Sequence, residues 1–139
     1  MTPRPVRLAL IAVLPLLAAP ASAQWSPPSL CDARSDKFAA ETCLQEALAK
    51  ARQALQLSYA KARSVIATDA ETSPDQKAKW EQDLTASQRA WEAYRDADCG
   101  DLILDEWHSG SGATYAQMSC VVSKTQSRAA ELSSRYASQ

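Results

Sequence analysis

The stretch that decides the fold reads QRAWEAYRDADC and occupies residues 88–99. Trp91 and Tyr94 lie three residues apart within it, and Trp80 and Leu84 continue the same apolar pattern toward the N-terminus. Apolar residues spaced by three, four or seven positions are typical of an amphipathic helix. We therefore expect a helix whose inner face carries these four side chains, with Trp91 as an anchor in the core.

Both ends of this helix are marked in the sequence. Residues 73–76, SPDQ, combine an N-cap serine, a proline at the first helical position and a glutamine three residues after the cap. This order predicts a capping box, in which Ser73 and Gln76 satisfy each other's backbone N–H groups. At the other end, Gly100 follows Cys99, and a glycine in the left-handed conformation commonly closes a helix.

Two further helices are expected on either side. Residues 36–68 contain no Gly or Pro and carry an apolar stripe of Leu44, Leu48, Ala51, Leu55, Ala62 and Ile66. After a Gly-Ser-Gly turn at residues 110–112, a third apolar stripe runs through Met118, Val121, Val122, Thr125, Leu132 and Tyr136. Residues 101–111 show no clear periodicity, and no useful stretch alternates as a strand would. The sequence predicts an all-α fold, a disulfide-linked antiparallel three-helix bundle.

Four cysteines, Cys31, Cys43, Cys99 and Cys120, lie outside the N-terminal apolar segment. An even number in a small exported chain indicates disulfides, and three pairings are possible. We favour Cys31 with Cys43 and Cys99 with Cys120, because each pair closes a local segment. Each disulfide of this loop size stabilises the fold by roughly 3 kcal/mol. Zinc is the competing use, but spacings of 12, 56 and 21 residues lack the close cysteine pairs of such sites.

The N-terminus predicts export. Arg4 and Arg7 precede an apolar run at residues 8–18, and the small residues at positions 21–23 suit cleavage by a signal peptidase. We expect residues 1–23 to be a cleaved signal peptide and residues 24–139 to form a single domain in the periplasm or outside the cell. An uncleaved anchor is the alternative, but the run is shorter than the roughly 20 residues that span a membrane. No stable membrane insertion is expected after cleavage.

Charge and composition exclude several classes of function. Without Arg4 and Arg7 the chain has 13 basic and 16 acidic residues, so nucleic acid is not an expected partner. His108 is the only histidine, and no catalytic or phosphate-binding motif occurs. A calcium loop starting at Asp96 fails, because Asp101 and Trp107 stand where glycine and glutamate are needed. We expect no enzyme activity, no metal and no cofactor.

The motif Q-x-x-W-x-x-Y-R-D-x-x-C, followed by the Gly-Ser-Gly turn and then by C-x4-T-x2-R-x3-L, resembles one family. It is similar to the N-terminal domain of the lysozyme inhibitor LprI family, and the resemblance runs from about Cys31 to Leu132. The resemblance implies a helical fold and, as one function known in the family, the inhibition of a lysozyme. It also implies that the polar residues within the motif matter to the fold or to a ligand.

Polar side chains interrupt the apolar stripes beside Trp91, at Gln88, Arg95, Thr125 and Arg128. The favoured interpretation is an internal structural network, in which Gln88, Thr125 and a nearby Asp96 or Glu131 occupy the guanidinium donors. The alternative is a ligand site, in which Arg95 and Arg128 bind a carboxylate or phosphate bidentately. The sequence leaves both open.

An acidic segment leads into the Gly-Ser-Gly turn, with carboxylates at Asp96, Asp98, Asp101, Asp105 and Glu106. It is either a solvated loop or a surface that attracts a basic partner. If the partner is a lysozyme, the expected contact residues are Asp101, Asp105, Glu106, Trp107, Ser109, Gly110, Ser111 and Gly112. The competing hypothesis is an envelope adaptor or scaffold that binds another exported protein or a cell-wall fragment through its helical groove. The type of lysozyme and the oligomeric state stay open.

Overall fold

A computed structural model describes residues 30–31 and 36–137. The structure has three long helices, α1 (Lys37–Thr68), α2 (Pro74–Asp98) and α4 (Ala113–Arg135). A short helix, α3 (Asp101–Glu106), lies between α2 and α4, and the described residues contain no strand. The expected helical bundle is therefore confirmed. The expected signal peptide, residues 1–23, lies outside the described residues.

The turn between α1 and α2 is fixed by local hydrogen bonds. The Asp69 carboxylate accepts from the backbone N–H groups of Glu71 (3.0 Å) and Thr72 (2.8 Å). The Ser73 hydroxyl then accepts from the Gln76 N–H at 3.4 Å, while the Gln76 side chain accepts from the Ser73 N–H at 3.2 Å. This is the capping box that the sequence predicts, and it starts α2 directly after a tight reversal of the chain.

Helices α1 and α4 run in the same direction, and their backbones lie closer together than either lies to α2. The buried residues of both helices include small ones, namely Ala40, Ala51 and Ala62 on α1 and Ala113, Ala116, Ser119 and Ala129 on α4. Small side chains allow two helix backbones to approach each other closely. Helix α2 runs antiparallel to both, because the ring of Trp80 near its start lies 6.3 Å from that of Tyr136 just after the end of α4.

Two apolar clusters fill the bundle. The larger one joins the three long helices through Leu55, Ala62, Val65, Ile66, Leu84, Ala129, Leu132 and Tyr136. The smaller one surrounds the short helix α3 and contains Cys99, Ile103, Ala116 and Cys120, with Trp107 packed against it. The core therefore extends to the end of the molecule at which α2 ends and α4 begins.

The inner face of α2 is narrower than the sequence predicts. Leu84 is buried as expected, whereas Trp80 and Trp91 are only partly buried and pack against the edge of the core. Tyr94 was expected to face inward but is 54 % exposed, so that prediction is wrong. The inward line of α2 runs through Leu84 and Gln88 instead, which places Tyr94 on the flank of the helix.

Gly100 also differs from its prediction. Its φ is −91°, so it does not adopt the left-handed conformation, and it serves as the N-cap of α3. A Cβ atom at this position would lie 2.6 Å from the backbone oxygen of Asp96, which explains why a residue without a side chain is needed. The chain can therefore pass from α2 into α3, a helix of six residues that is too short to show a periodicity in the sequence.

Candidate functional site

The two disulfides lie at the end of the bundle where α1 and α4 begin and α2 ends. Cys31 is bonded to Cys43 and Cys99 to Cys120, with Cα–Cα distances of 6.0 and 5.5 Å, which is the pairing that the sequence analysis favours. The Tyr115 hydroxyl donates a hydrogen bond to the backbone oxygen of Cys31. The segment before α1 and the α2–α3 junction are thus both attached to this end of the bundle.

Residues 107–112 form an ordered loop at this end, here called the tip loop. The Ser109 N–H donates to the Leu104 oxygen at 2.8 Å, and the Gly110 N–H donates to the Trp107 oxygen at 2.8 Å. His108 and Ser109 have φ values of 50° and 52°, in the left-handed region that costs a non-glycine residue about 1–2 kcal/mol. Strained backbone of this kind persists only where the surroundings hold it, and it clusters at functional sites.

Trp107 holds the tip loop against the body of the protein. Its ring packs on the smaller apolar cluster, and a Cβ atom at Gly112 would lie only 2.5 Å from the ring. Gly112 therefore provides the space that the indole occupies. The side chains of Ser109 and Ser111, together with Gly110, are exposed to solvent. The loop thus presents small hydrogen-bonding groups on a support that is fixed from below.

The acidic segment is divided by its ion pairs. Asp96 binds Arg95 at 2.6 Å and Asp98 binds Lys124 at 2.9 Å, so these two carboxylates are locally neutralised. Asp101 and Asp105 are exposed and bind no cation within the described residues, whereas Glu106 is half-buried. The negative charge that could attract a partner is therefore concentrated beside the tip loop.

Lys124 connects α4 to the end of α2. Its Nζ atom donates to the Tyr94 hydroxyl at 2.9 Å and lies 4.5 Å from the centre of the Tyr94 ring. Partial burial alone would lower the pKa of Lys124, but the hydrogen bonds to Tyr94 and Asp98 outweigh it and the pKa is raised. The ammonium group is thus held in its charged form by its partners.

Arg128 is the centre of a buried polar network between α2 and α4. Its Nε atom donates to the Gln88 side chain at 3.2 Å, its Nη1 atom to Glu131 at 2.8 Å and its Nη2 atom to Ser87 at 3.1 Å. The Gln88 amide in turn donates to Glu92 at 3.1 Å. Each guanidinium nitrogen of Arg128 therefore already has an acceptor from the protein.

The other polar residues of the motif have different surroundings. Arg95 lies over the Trp91 ring, 5.0 Å from its centre, and binds Asp96. The Thr125 hydroxyl donates to the Val121 backbone oxygen of its own helix at 2.7 Å and takes no part in the arginine network. Gln88, Arg128 and Glu131 thus form one connected network, while Arg95 and Thr125 have separate partners.

A groove of about 380 Å³ lies between α1 and α2, here called the α1–α2 groove. Its lining includes Arg52, Leu55 and Tyr59 from α1 and Gln88, Arg89 and Glu92 from α2. Arg95 also lines the groove. The sequence analysis identifies Gln88 and Arg95 as candidate site residues but not Arg52 or Arg89. The positions of these two arginines could have indicated the groove. Arg52 lies three residues before the core residue Leu55, and Arg89 follows Gln88 directly.

Residues 30–31 and 36–137 contain one cluster of potential metal ligands. Asp98, Cys99 and Cys120 are close enough to share a metal ion, but the two cysteines form a disulfide. None of the helices in this part of the chain is long and apolar enough to cross a membrane.

The family comparison agrees with the resemblance found in the sequence. The model of a family described as lysozyme inhibitor LprI matches residues 31–132, which include both disulfides, the tip loop and the Arg128 network. No curated protein and no solved structure matches the chain.

Proposed function

We propose that this chain, which belongs to the lysozyme inhibitor LprI family, is an exported protein without enzyme activity that blocks the substrate cleft of a lysozyme with its tip loop. The observation that carries this proposal is the tip loop itself. It is exposed at Ser109, Gly110 and Ser111, yet its backbone is held by hydrogen bonds and by the packing of Trp107. A loop that is already ordered loses little conformational entropy on binding, which favours affinity.

The chemistry of the loop suits a cleft with catalytic carboxylates. Lysozymes are glycosidases, and they use two carboxyl groups that flank the glycosidic bond to be broken. The hydroxyls of Ser109 and Ser111 can donate hydrogen bonds to such groups, and Gly110 adds no side chain that would prevent close approach. The inhibitor would occupy the cleft in place of the sugar chain without being cut.

Charge supports the same mode of binding. Asp101 and Asp105 lie exposed on α3, next to the tip loop. A basic lysozyme would be drawn toward this end of the bundle, because long-range attraction raises the rate of association. The contribution of Glu106 and Trp107 would come mainly from supporting the loop, since both are half-buried.

The compartment follows from the same proposal. Two disulfides persist best where the surroundings are oxidising, such as the periplasm or the outside of the cell. Residues 1–23 would direct the chain there and be removed, leaving residues 24–139 as the active domain.

Surface plasmon resonance against hen-type and invertebrate-type lysozymes tests the proposal. The double variant Asp101→Lys/Asp105→Lys should associate at least roughly tenfold more slowly at low salt, and the difference should shrink as salt is added. The double variant Glu71→Lys/Asp83→Lys has the same change in charge away from the tip loop and should associate at nearly the wild-type rate. A Ser111→Trp variant should instead dissociate faster, because the larger side chain blocks close approach.

Inhibition of cell-wall lysis by the purified protein is the matching activity measurement. Absence of both binding and inhibition at micromolar concentration, for both types of lysozyme, would overturn the proposal. Capture of another exported protein through the helical groove would then favour the adaptor hypothesis.

A further inference from the structure

We propose that the α1–α2 groove binds a small organic carboxylate that carries an apolar group. This site would be separate from the tip loop, and the inference does not depend on lysozyme inhibition. It rests on two arginines that have no partner among the described residues, an apolar floor between them and a single opposing carboxylate.

The arginines of the described helices fall into two groups. Four of them each bind a carboxylate of the protein, in the pairs Arg63–Glu81, Arg95–Asp96, Arg128–Glu131 and Arg135–Glu131. Arg52 and Arg89 make no ion pair or hydrogen bond within the described part of the chain, and both line the α1–α2 groove. The only two arginines of these helices that lack an acceptor thus border the same cavity from opposite helices.

The floor of the groove supplies apolar surface with fixed polar edges. Leu55 is buried beneath it, and Tyr59 is half-buried with its hydroxyl 3.1 Å from the Thr85 hydroxyl. This hydrogen bond joins α1 to α2 and holds the tyrosine ring in place. At about 380 Å³ the groove lies within the range of roughly 300–1,000 Å³ that is usual for small-molecule sites.

The charge of the groove favours a monoanion. Glu92 also lines it and is held by the Gln88 amide at 3.1 Å, while the charge of Arg95 is already balanced by Asp96. The two unpaired arginines and Glu92 therefore leave an excess of one positive charge. A carboxylate balances that excess and fits the planar donors of a guanidinium, whereas a phosphate dianion would leave the groove with a net negative charge.

Titration of the purified protein with phenylacetate, followed by NMR amide shifts, tests this inference. We expect shifts at Leu55, Tyr59 and Thr85 that saturate in the millimolar range, as suits so small a probe. Phenylacetamide has nearly the same shape without the charge and should bind at least tenfold more weakly. Phenyl phosphate distinguishes the two kinds of anion and should bind more weakly than phenylacetate.

Two double variants make the result specific to the groove. Arg52→Gln/Arg89→Gln should weaken phenylacetate binding tenfold or more. Lys50→Gln/Lys61→Gln removes the same charge from exposed positions of α1 outside the groove lining and should leave binding unchanged. Circular dichroism and thermal melting establish that both variants are folded.

The inference is overturned if phenylacetate causes no saturable shifts in the wild-type groove, or if both double variants weaken binding equally. Tighter binding of phenyl phosphate would refute the choice of a carboxylate.

Discussion

The interface between α1 and α4 and the attachment of α2 are built by different means. Small side chains such as Ala62 and Ala129 are buried in the first. The second depends on partly buried indole rings and on the polar network around Arg128. The α1–α2 groove is lined by charged side chains as well as apolar ones, whereas a pocket of about 320 Å³ between α1 and α4 is lined only by uncharged side chains such as Ala54, Ser58 and Ala129. The charged groups that could hold a ligand therefore lie between α1 and α2 and not in the pocket between α1 and α4.

The largest expected effect is in the larger apolar cluster, at a residue of α4. Leu132 has no exposed surface and lies in the larger apolar cluster, so Leu132→Ala should destabilise the protein by about 2–5 kcal/mol. The cost has two parts, the lost burial of the side chain and the cavity that remains. Urea denaturation followed by circular dichroism measures it.

Leu57→Ala is the matched control for this substitution. Leu57 is 65 % exposed on α1, so its truncation should change stability by no more than about 0.5 kcal/mol. Equal effects of the two substitutions would contradict the assignment of Leu132 to the core.

A substitution that weakens the attachment of α2 should destabilise the protein less than Leu132→Ala does. Arg128 is 5 % exposed, and Arg128→Met keeps much of its stem while leaving the Gln88 side chain without its donor. An unsatisfied buried polar group costs about 1–3 kcal/mol, and we expect a loss of stability in that range. Thermal melting of the wild type and the variant under identical conditions measures the difference.

Arg135→Met gives the comparison within the same helix. Arg135 binds the same residue, Glu131, but its side chain is 57 % exposed, and exposed ion pairs contribute about 1 kcal/mol or less. If Arg135→Met destabilised the protein as much as Arg128→Met, the network around Arg128 would not be what attaches α2.

The fold was largely predictable, because its signals are local. Ser73 and Gln76 specify the start of α2 through hydrogen bonds between near neighbours, and the stripe from Leu44 to Ile66 specifies the face of α1. The prediction for Tyr94 was wrong because no local feature of the sequence shows whether an aromatic residue near an apolar stripe lies inside the bundle or on the flank of its helix. The left-handed conformation predicted for Gly100 was wrong because this glycine is needed for a close approach to the Asp96 backbone, which only the path of the folded chain reveals.

The candidate sites were predictable to different degrees. The tip loop could be identified, since Gly110 and Gly112 mark a turn and an acidic segment precedes them. The positive φ values of His108 and Ser109 could not, because neither residue type requires them. Arg52 and Arg89 lie 37 positions apart in the chain and gain meaning only from what the other arginines bind. That information exists only after the helices are packed.

The smallest expected effect concerns the contact of Lys124 with Tyr94 and Asp98, which also joins α4 to α2. The pKa of Lys124 is raised above its ordinary value of 10.5, because these hydrogen bonds outweigh the opposite influence of burial. A group whose pKa is raised by folding contributes its full stabilisation at pH values below its unfolded-state pKa. That contribution is lost as the pH rises through its folded-state pKa. The wild type should therefore exceed Lys124→Met in stability at pH 8, by about 1 kcal/mol or less, and the gap should narrow toward pH 11. Urea denaturation at several pH values measures the gap, with Lys79→Met, which removes an exposed pair with Asp83, as the control. A gap that stays constant or widens up to pH 11 would contradict this role for Lys124.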